Sequence, residues 1–190
     1  MAAWFFWALR RGAMLSWRIA GWAGVVLATA YASAAAFRWS TLPPRESALV
    51  DQFRGNRSAY ESLEQLLVEE AGPIEVAKWG VRTRRSLLAE IPPSGDFPRA
   101  RFDRYLALLT RAGGEIAWRG DDACPETCVV VWAAGFAANT RHVAVCSLCT
   151  APASLTDNLD RWWTTPTASG GREIVYRHLE AEWYLRADSR

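Results

Sequence analysis

All four cysteines of the chain fall between positions 124 and 149, in the stretch CPETCVVVWAAGFAANTRHVAVCSLC. Their spacing, Cys-x3-Cys followed by Cys-x2-Cys, is compatible with three kinds of chemistry. As thiolates, Cys124, Cys128, Cys146 and Cys149 can hold zinc tetrahedrally. A ribbon-type site ordinarily carries Cys-x2-Cys twice, however, and Cys124 to Cys128 has one residue more. Cys146 and Cys149 alone have the spacing of a thiol–disulfide exchange pair, but such a thiol is activated at a helix N-terminus, and here the pair ends a predicted strand. The third reading is two disulfides. If residues 127–147 form a hairpin whose opposed positions sum to 274, Val129 and Val131 share a face with Val143 and Val145, and Cys128 lies opposite Cys146. Opposed residues of antiparallel strands have Cα atoms about 4.5–5.5 Å apart, within the range that a disulfide accepts. Cys124 and Cys149 lie just beyond the strand ends and can close a second, nested bridge. Disulfides form in oxidising compartments, so compartment decides among the three.

Other residues with chemical potential are few. The two histidines, His142 and His178, both fall in predicted strands, and no Gly-x-Ser-x-Gly motif accompanies either. His178 and Glu180 resemble half of a catalytic pair, but alternation along a strand accounts for them equally well. Asp121, Asp122 and Glu126 gather beside Cys124, which reads as a solvated acidic loop, because calcium needs more oxygen ligands at fixed spacing. Trp162 and Trp163 are adjacent and cannot both face the core of one regular element. One of them is therefore a candidate contact anchor, and burial of both in an irregular turn is the competing reading. No catalytic residue, resident metal or cofactor is expected from these patterns.

The N-terminal region speaks to compartment. Ile19 to Phe37 carries no charge over 19 residues, and as a helix this run would span about 29 Å, close to the roughly 30 Å of a bilayer core. Arg10, Arg11 and Arg18 precede it, and no acid occurs before Glu46. By the positive-inside tendency, segment 1–18 stays cytoplasmic, 19–37 crosses as a signal anchor, 38–44 links, and 45–190 is an exported globular domain. The expected location is therefore the cytoplasmic (inner) membrane, single-pass, with the C-terminal domain in the periplasm. Trp4, Phe5, Phe6 and Trp7 just ahead of Arg10 suit the lipid–water interface. Ala20, Gly24, Ala28, Ala32 and Ala36 form a small-residue stripe of the kind that lets membrane helices approach closely. The competing reading is a cleaved leader. Ala32-Ser33-Ala34 fits the small-x-small cleavage pattern, and a start at Met14 would leave the compact basic leader MLSWR. Without Arg10, Arg11 and Arg18, the remaining 19 cations face 20 acids. The domain thus lacks the basic excess that a nucleic-acid partner requires.

The elements that must position these residues follow from periodicity. Leu49, Phe53, Tyr60, Leu63 and Leu67 mark the apolar face of a long helix ending at Gly72-Pro73, with Gly55 marking a bend. A short strand follows over 74–79, and 81–96 reads as loop with one turn of helix. A second helix, FPRARFDRYLALLTRAGG, buries Phe102, Tyr105, Leu106 and Leu109 and stops at Gly113-Gly114. Strands are expected over 115–119, 128–133, 142–147, 172–179 and 182–187. Helices first and strands later predict an α+β domain, with two helices packed on one face of an antiparallel sheet of about five strands.

Three stretches, FRGNRSAYESLEQLL, RHVAVCSL and REIVYRHLEAEWYLRAD, resemble a loose group of small membrane-anchored or exported proteobacterial proteins. The resemblance rests on Phe53, Arg57 and Tyr60 in a helix that precedes a small sheet ending in Trp183-Tyr184. It implies this architecture over 45–187 and carries no site residue, and the clustered cysteines depart from the pattern. The expected function is a non-enzymatic membrane-anchored interaction module, most concretely an accessory subunit of a larger integral membrane complex. Its partners would be the bilayer and that complex. The alternatives are a secreted periplasmic binding protein after cleavage near Ala34, and a thiol- or zinc-dependent protein using the cysteine cluster.

Overall fold

The computed structural model describes residues 42–83, 97–120, 124–134, 140–164 and 173–189. The chain divides after Leu42, and Pro43–Arg190 is one compact unit. The segment 1–18, the expected span 19–37 with its stripe of Ala20, Gly24, Ala28, Ala32 and Ala36, and Asp121 and Asp122 lie outside the described residues. No helix among the described residues is long and apolar enough to cross a membrane.

The first predicted helix is two: α1 (Glu46–Gly55) and α2 (Arg57–Val68). The break falls at Gly55-Asn56, where Asn56 leaves the helical region at φ −122° and its Nδ2 donates to the Gln52 carbonyl at 3.1 Å. Leu49, Phe53, Tyr60, Leu63 and Leu67 are all buried, so the two helices keep one continuous apolar face across the bend. Next come β1 (Ile74–Ala77) and β2 (Gly80–Thr83), then α3 (Arg99–Ala112). After α3 follow β3 (Ile116–Arg119), β4 (Thr127–Ala134), β5 (Arg141–Ser147), a short α4 (Leu159–Thr164), β6 (Glu173–Glu180) and β7 (Trp183–Ser189).

The class is α+β, and the sheet is antiparallel as expected, but it has seven strands rather than about five, in the order β2-β1-β3-β4-β5-β7-β6. Lys78-Trp79 is not the end of a strand but the turn of a tight hairpin, since Ala77 pairs with Gly80. Among the described residues, two helices also become four, through the break at Asn56 and the unforeseen α4. That short helix is held by reciprocal bonds with α1. Leu159 N–H donates to Glu46 Oε2 at 2.6 Å, and Glu46 N–H donates to Asp160 Oδ1 at 2.9 Å, so each first-turn acid caps the other helix.

Helices α1, α2 and α3 cover one face of the sheet, on which Val76, Ala117, Val129, Val143, Val145, Leu185 and Ala187 point inward. Trp183 sits at the centre, 5.5 Å from the Phe53 ring and 6.3 Å from Tyr60. The β4–β5 register sums to 274 from Cys128↔Cys146 through Val130↔Ala144. A bulge at Val131 then shifts it, so Trp132 rather than Val131 stands opposite Val143. The extra residue turns Trp132 toward the helical side, where it meets Trp163 edge-on at 5.9 Å. At the end of α3, Gly113 takes the left-handed conformation (φ 69°). A Cβ on the following Gly114 would lie 2.5 Å from Val129 Cγ1, so glycine is needed there for close approach of helix and sheet.

Candidate functional site

Strand alternation sends a second set of side chains to the other face of the sheet, where no helix packs among the described residues. Cys128, Val130, Ala144 and Cys146 form a small buried cluster there, flanked by Ile116, Trp118 and Leu148. Trp118 stands opposite Cys128 across β3 and β4. On the far side of the cluster, β7 contributes Tyr184, Arg186 and Asp188, the residues that alternate with inward Leu185 and Ala187.

The cysteines form two nested bridges. Cys128 joins Cys146 across the β4–β5 pair, with Cα atoms 4.1 Å apart, and Cys124 joins Cys149, with Cα atoms 6.1 Å apart. They differ sharply in environment: the inner pair is fully buried, whereas Cys124 and Cys149 are both exposed. With every cysteine paired, the zinc set Cys124, Cys128, Cys146 and Cys149 has no thiolate to offer in the oxidised protein. Glu126, Cys128 and Cys146 do bring one ligand atom each within 4.8 Å of one another. Both sulfurs are bonded, however, and the carboxylate is engaged elsewhere.

That engagement is the most organised polar feature of the face. The Arg186 side chain is only 7% exposed. Its Nη1 donates to Glu126 Oε2 at 2.8 Å, and its Nη2 lies 3.4 Å from Asp188 Oδ2. The guanidinium lies over the Trp118 ring at 5.4 Å and the Tyr176 ring at 6.0 Å. The Tyr176 hydroxyl donates to the other Glu126 oxygen, Oε1, at 3.2 Å. Asp188 is wholly buried and also has the His142 ring nitrogen Nε2 at 3.7 Å. Burial pushes the Tyr176 phenol above its ordinary value; Arg186 opposes the shift and Glu126 reinforces it. One donor is left over: Arg186 Nε is buried with no hydrogen-bond partner among the described residues. Burying a guanidinium is costly unless its fork is satisfied, and the Arg186 fork is satisfied in part.

The other predicted candidates lie apart from this network. His178 is exposed, with Nε2 2.9 Å from the Ala181 carbonyl oxygen and its ring 5.0 Å from Tyr184. Glu180 instead pairs with Arg57 of α2, beyond a bulge that separates it from His178 in the strand register. Trp162 and Trp163, on α4, are both half-buried, pack against each other at 4.5 Å and join the helical-side core. Their indole N–H groups are buried without an acceptor among the described residues. A cleft of about 70 Å³ lies between α1 and β6, lined by Val50, Phe53, Arg54 and Arg177–Glu180. It is well below the roughly 300 Å³ at which small-molecule sites begin.

No family model, curated protein or solved structure matches the chain.

The sequence reading missed Arg186, Asp188, Tyr176 and Trp118, and it placed Glu126 in a solvated loop. A signal was present. In WYLRADS, apolar Leu185 and Ala187 alternate with Arg186 and Asp188, so a strand buried on both faces must bury that charge pair.

Proposed function

We propose that this protein is a non-enzymatic, membrane-anchored interaction module, an accessory subunit that presents its sheet face to a larger integral membrane complex. The observation that carries the reading is the composition of the helix-free face: Trp118 and Tyr176 flank a buried arginine in one patch. Tryptophan, tyrosine and arginine are the residues that dominate binding energy at protein interfaces, and they do so when held rigid before the partner arrives. Two disulfides around the same patch supply that rigidity and suit an oxidising compartment. The apolar run of residues 19–37 supports attachment to the bilayer.

The test is purification from native membranes in mild detergent. Co-migration with a larger integral membrane assembly, lost on Trp118→Ala, is the expected result. Migration as a lone monomer under every mild condition would overturn the reading.

A further inference from the structure

The geometry points to a carboxylate-binding site centred on Arg186, filled from within by Glu126 and kept filled by the exposed Cys124–Cys149 disulfide. Its external ligand would be an acidic side chain or terminus of the protein partner. This rests on the interaction-module reading above and adds the partner's chemistry and the control of access.

Three observations combine. The guanidinium is oriented in advance by the Trp118 and Tyr176 rings, which limits its freedom whether or not a ligand is present. Glu126 uses that site incompletely, because it accepts from Nη1 while the buried Nε has no acceptor among the described residues. A carboxylate that takes Glu126's place accepts from Nη1 and from the Tyr176 hydroxyl, the two donors that Glu126 uses now. An external carboxylate therefore competes with Glu126 for the same donors.

The third observation concerns how Glu126 is held. It lies just ahead of β4, where its carbonyl oxygen accepts from Gly120 N–H at 3.0 Å. Two residues earlier, Cys124 ties the same segment to Cys149. Both sulfurs of that bridge belong to exposed residues, whereas the inner bridge is sealed. A reduced dithiol protein or small dithiol can therefore open the outer bridge selectively. Its first thiolate attacks one sulfur of the pair to form a mixed disulfide, releasing the other as a thiol. The second thiol of the reductant then displaces the remaining cysteine. The reductant leaves as a disulfide, and Cys124 and Cys149 each gain one hydrogen. The Glu126 side chain is then free to leave Arg186, while Cys128–Cys146 keeps the sheet intact.

Two measurements on the full-length chain in mild detergent test this. The first is the thermal midpoint of Glu126→Ala in sodium propionate against sodium chloride at equal ionic strength. The midpoint should rise in propionate for the variant and not for the oxidised wild type, and an equal response to both salts removes the site. The second is fluorescence anisotropy of a fluorescein-labelled pentaglutamate peptide, with pentaglutamine as control. The variant Cys124→Ser/Cys149→Ser, which keeps Glu126, should bind the acidic peptide at least tenfold more tightly than the oxidised wild type. It should lose that gain on Arg186→Lys. No gain over wild type overturns control by the bridge, and a gain that survives Arg186→Lys places the binding elsewhere. If a membrane complex still co-purifies while Glu126→Ala ignores propionate, this site fails and the interaction module stands. A propionate response without co-purification has the opposite meaning.

Discussion

Tyr60 donates its hydroxyl proton to the carbonyl oxygen of Ala112 at 2.8 Å, so α2 closes the C-terminal end of α3. Gln52 Nε2 donates to the same carbonyl, also at 2.8 Å. Helix ends leave carbonyls without partners, and here two side chains from neighbouring helices supply the donors.

This arrangement makes stability depend on alkaline pH. Burial lifts the Tyr60 phenol from 10.0 to about 12, with the Gln52 hydrogen bond opposing. The unfolded chain releases that proton above pH 10 while the folded chain keeps it, so the contribution is intact below pH 10 and lost as pH climbs to about 12. Its size is on the order of 3 kcal/mol. Burial, followed by the charge of Glu70, moves Tyr105 in the same direction. Denaturant unfolding from pH 8 to 12 should show a fall beginning near pH 10. Tyr60→Phe should start about 1 kcal/mol lower and fall less steeply, from loss of one hydrogen bond. An undiminished slope in that variant would assign the pH dependence elsewhere.

The two disulfides should part in order. With the inner bridge closed, the outer one closes a ring of only the five residues 124–128 and the four residues 146–149. Its loss should therefore cost about 2–3 kcal/mol, less than a free 25-residue loop would imply. A phosphine titration followed by alkylation and peptide mapping should label Cys124 and Cys149 first. Equal labelling of all four at every step would contradict the burial difference.

Trp183→Ala should be the most damaging single substitution in the sheet. The indole fills the space between Phe53 and Tyr60, and truncating such a ring typically costs about 3–5 kcal/mol. Trp183→Phe should recover most of that loss, as read by urea midpoints at constant m-value.

Gly114 and Val129 should behave as a coupled pair. The methyl of Gly114→Ala would collide with Val129 Cγ1, an overpacking that costs about 1–3 kcal/mol. In Val129→Ala that space is vacant, so the double variant should be more stable than the sum of the two losses predicts, by at least about 0.5 kcal/mol. Strict additivity would show that the helix end shifts instead.

How much of this was legible follows from where each signal resides. Strands β3 to β7 announce themselves through Val, Ile, Trp and Tyr at period two, and the Cys128–Cys146 alignment lies within the register of the β4 and β5 valines. The paired helices were legible as one apolar stripe, because the bend at Asn56 preserves the phase between Phe53 and Tyr60. Strand β2 was not legible. GVRT has one clear apolar residue and becomes a strand only because a two-residue turn folds it onto β1. The Arg186 network was hidden for a different reason. Glu126, Tyr176 and Arg186 come from three separated segments, and no local pattern says that an acidic loop residue will be turned inward by a strand 60 residues away.

The pairing along β6 has a consequence for how molecules of this protein meet one another. Tyr176 exchanges backbone bonds with the segment beside it, accepting from Thr156 N–H and donating to the Ser154 carbonyl, both at 2.8 Å. A sheet's outermost strand is otherwise a template on which a second chain can polymerise. Here the chain's own residues 154–156 occupy the middle of that flank, with Leu155 exposed on the outside. Ribbon-like fibres seeded from β6 would first have to strip this cover away.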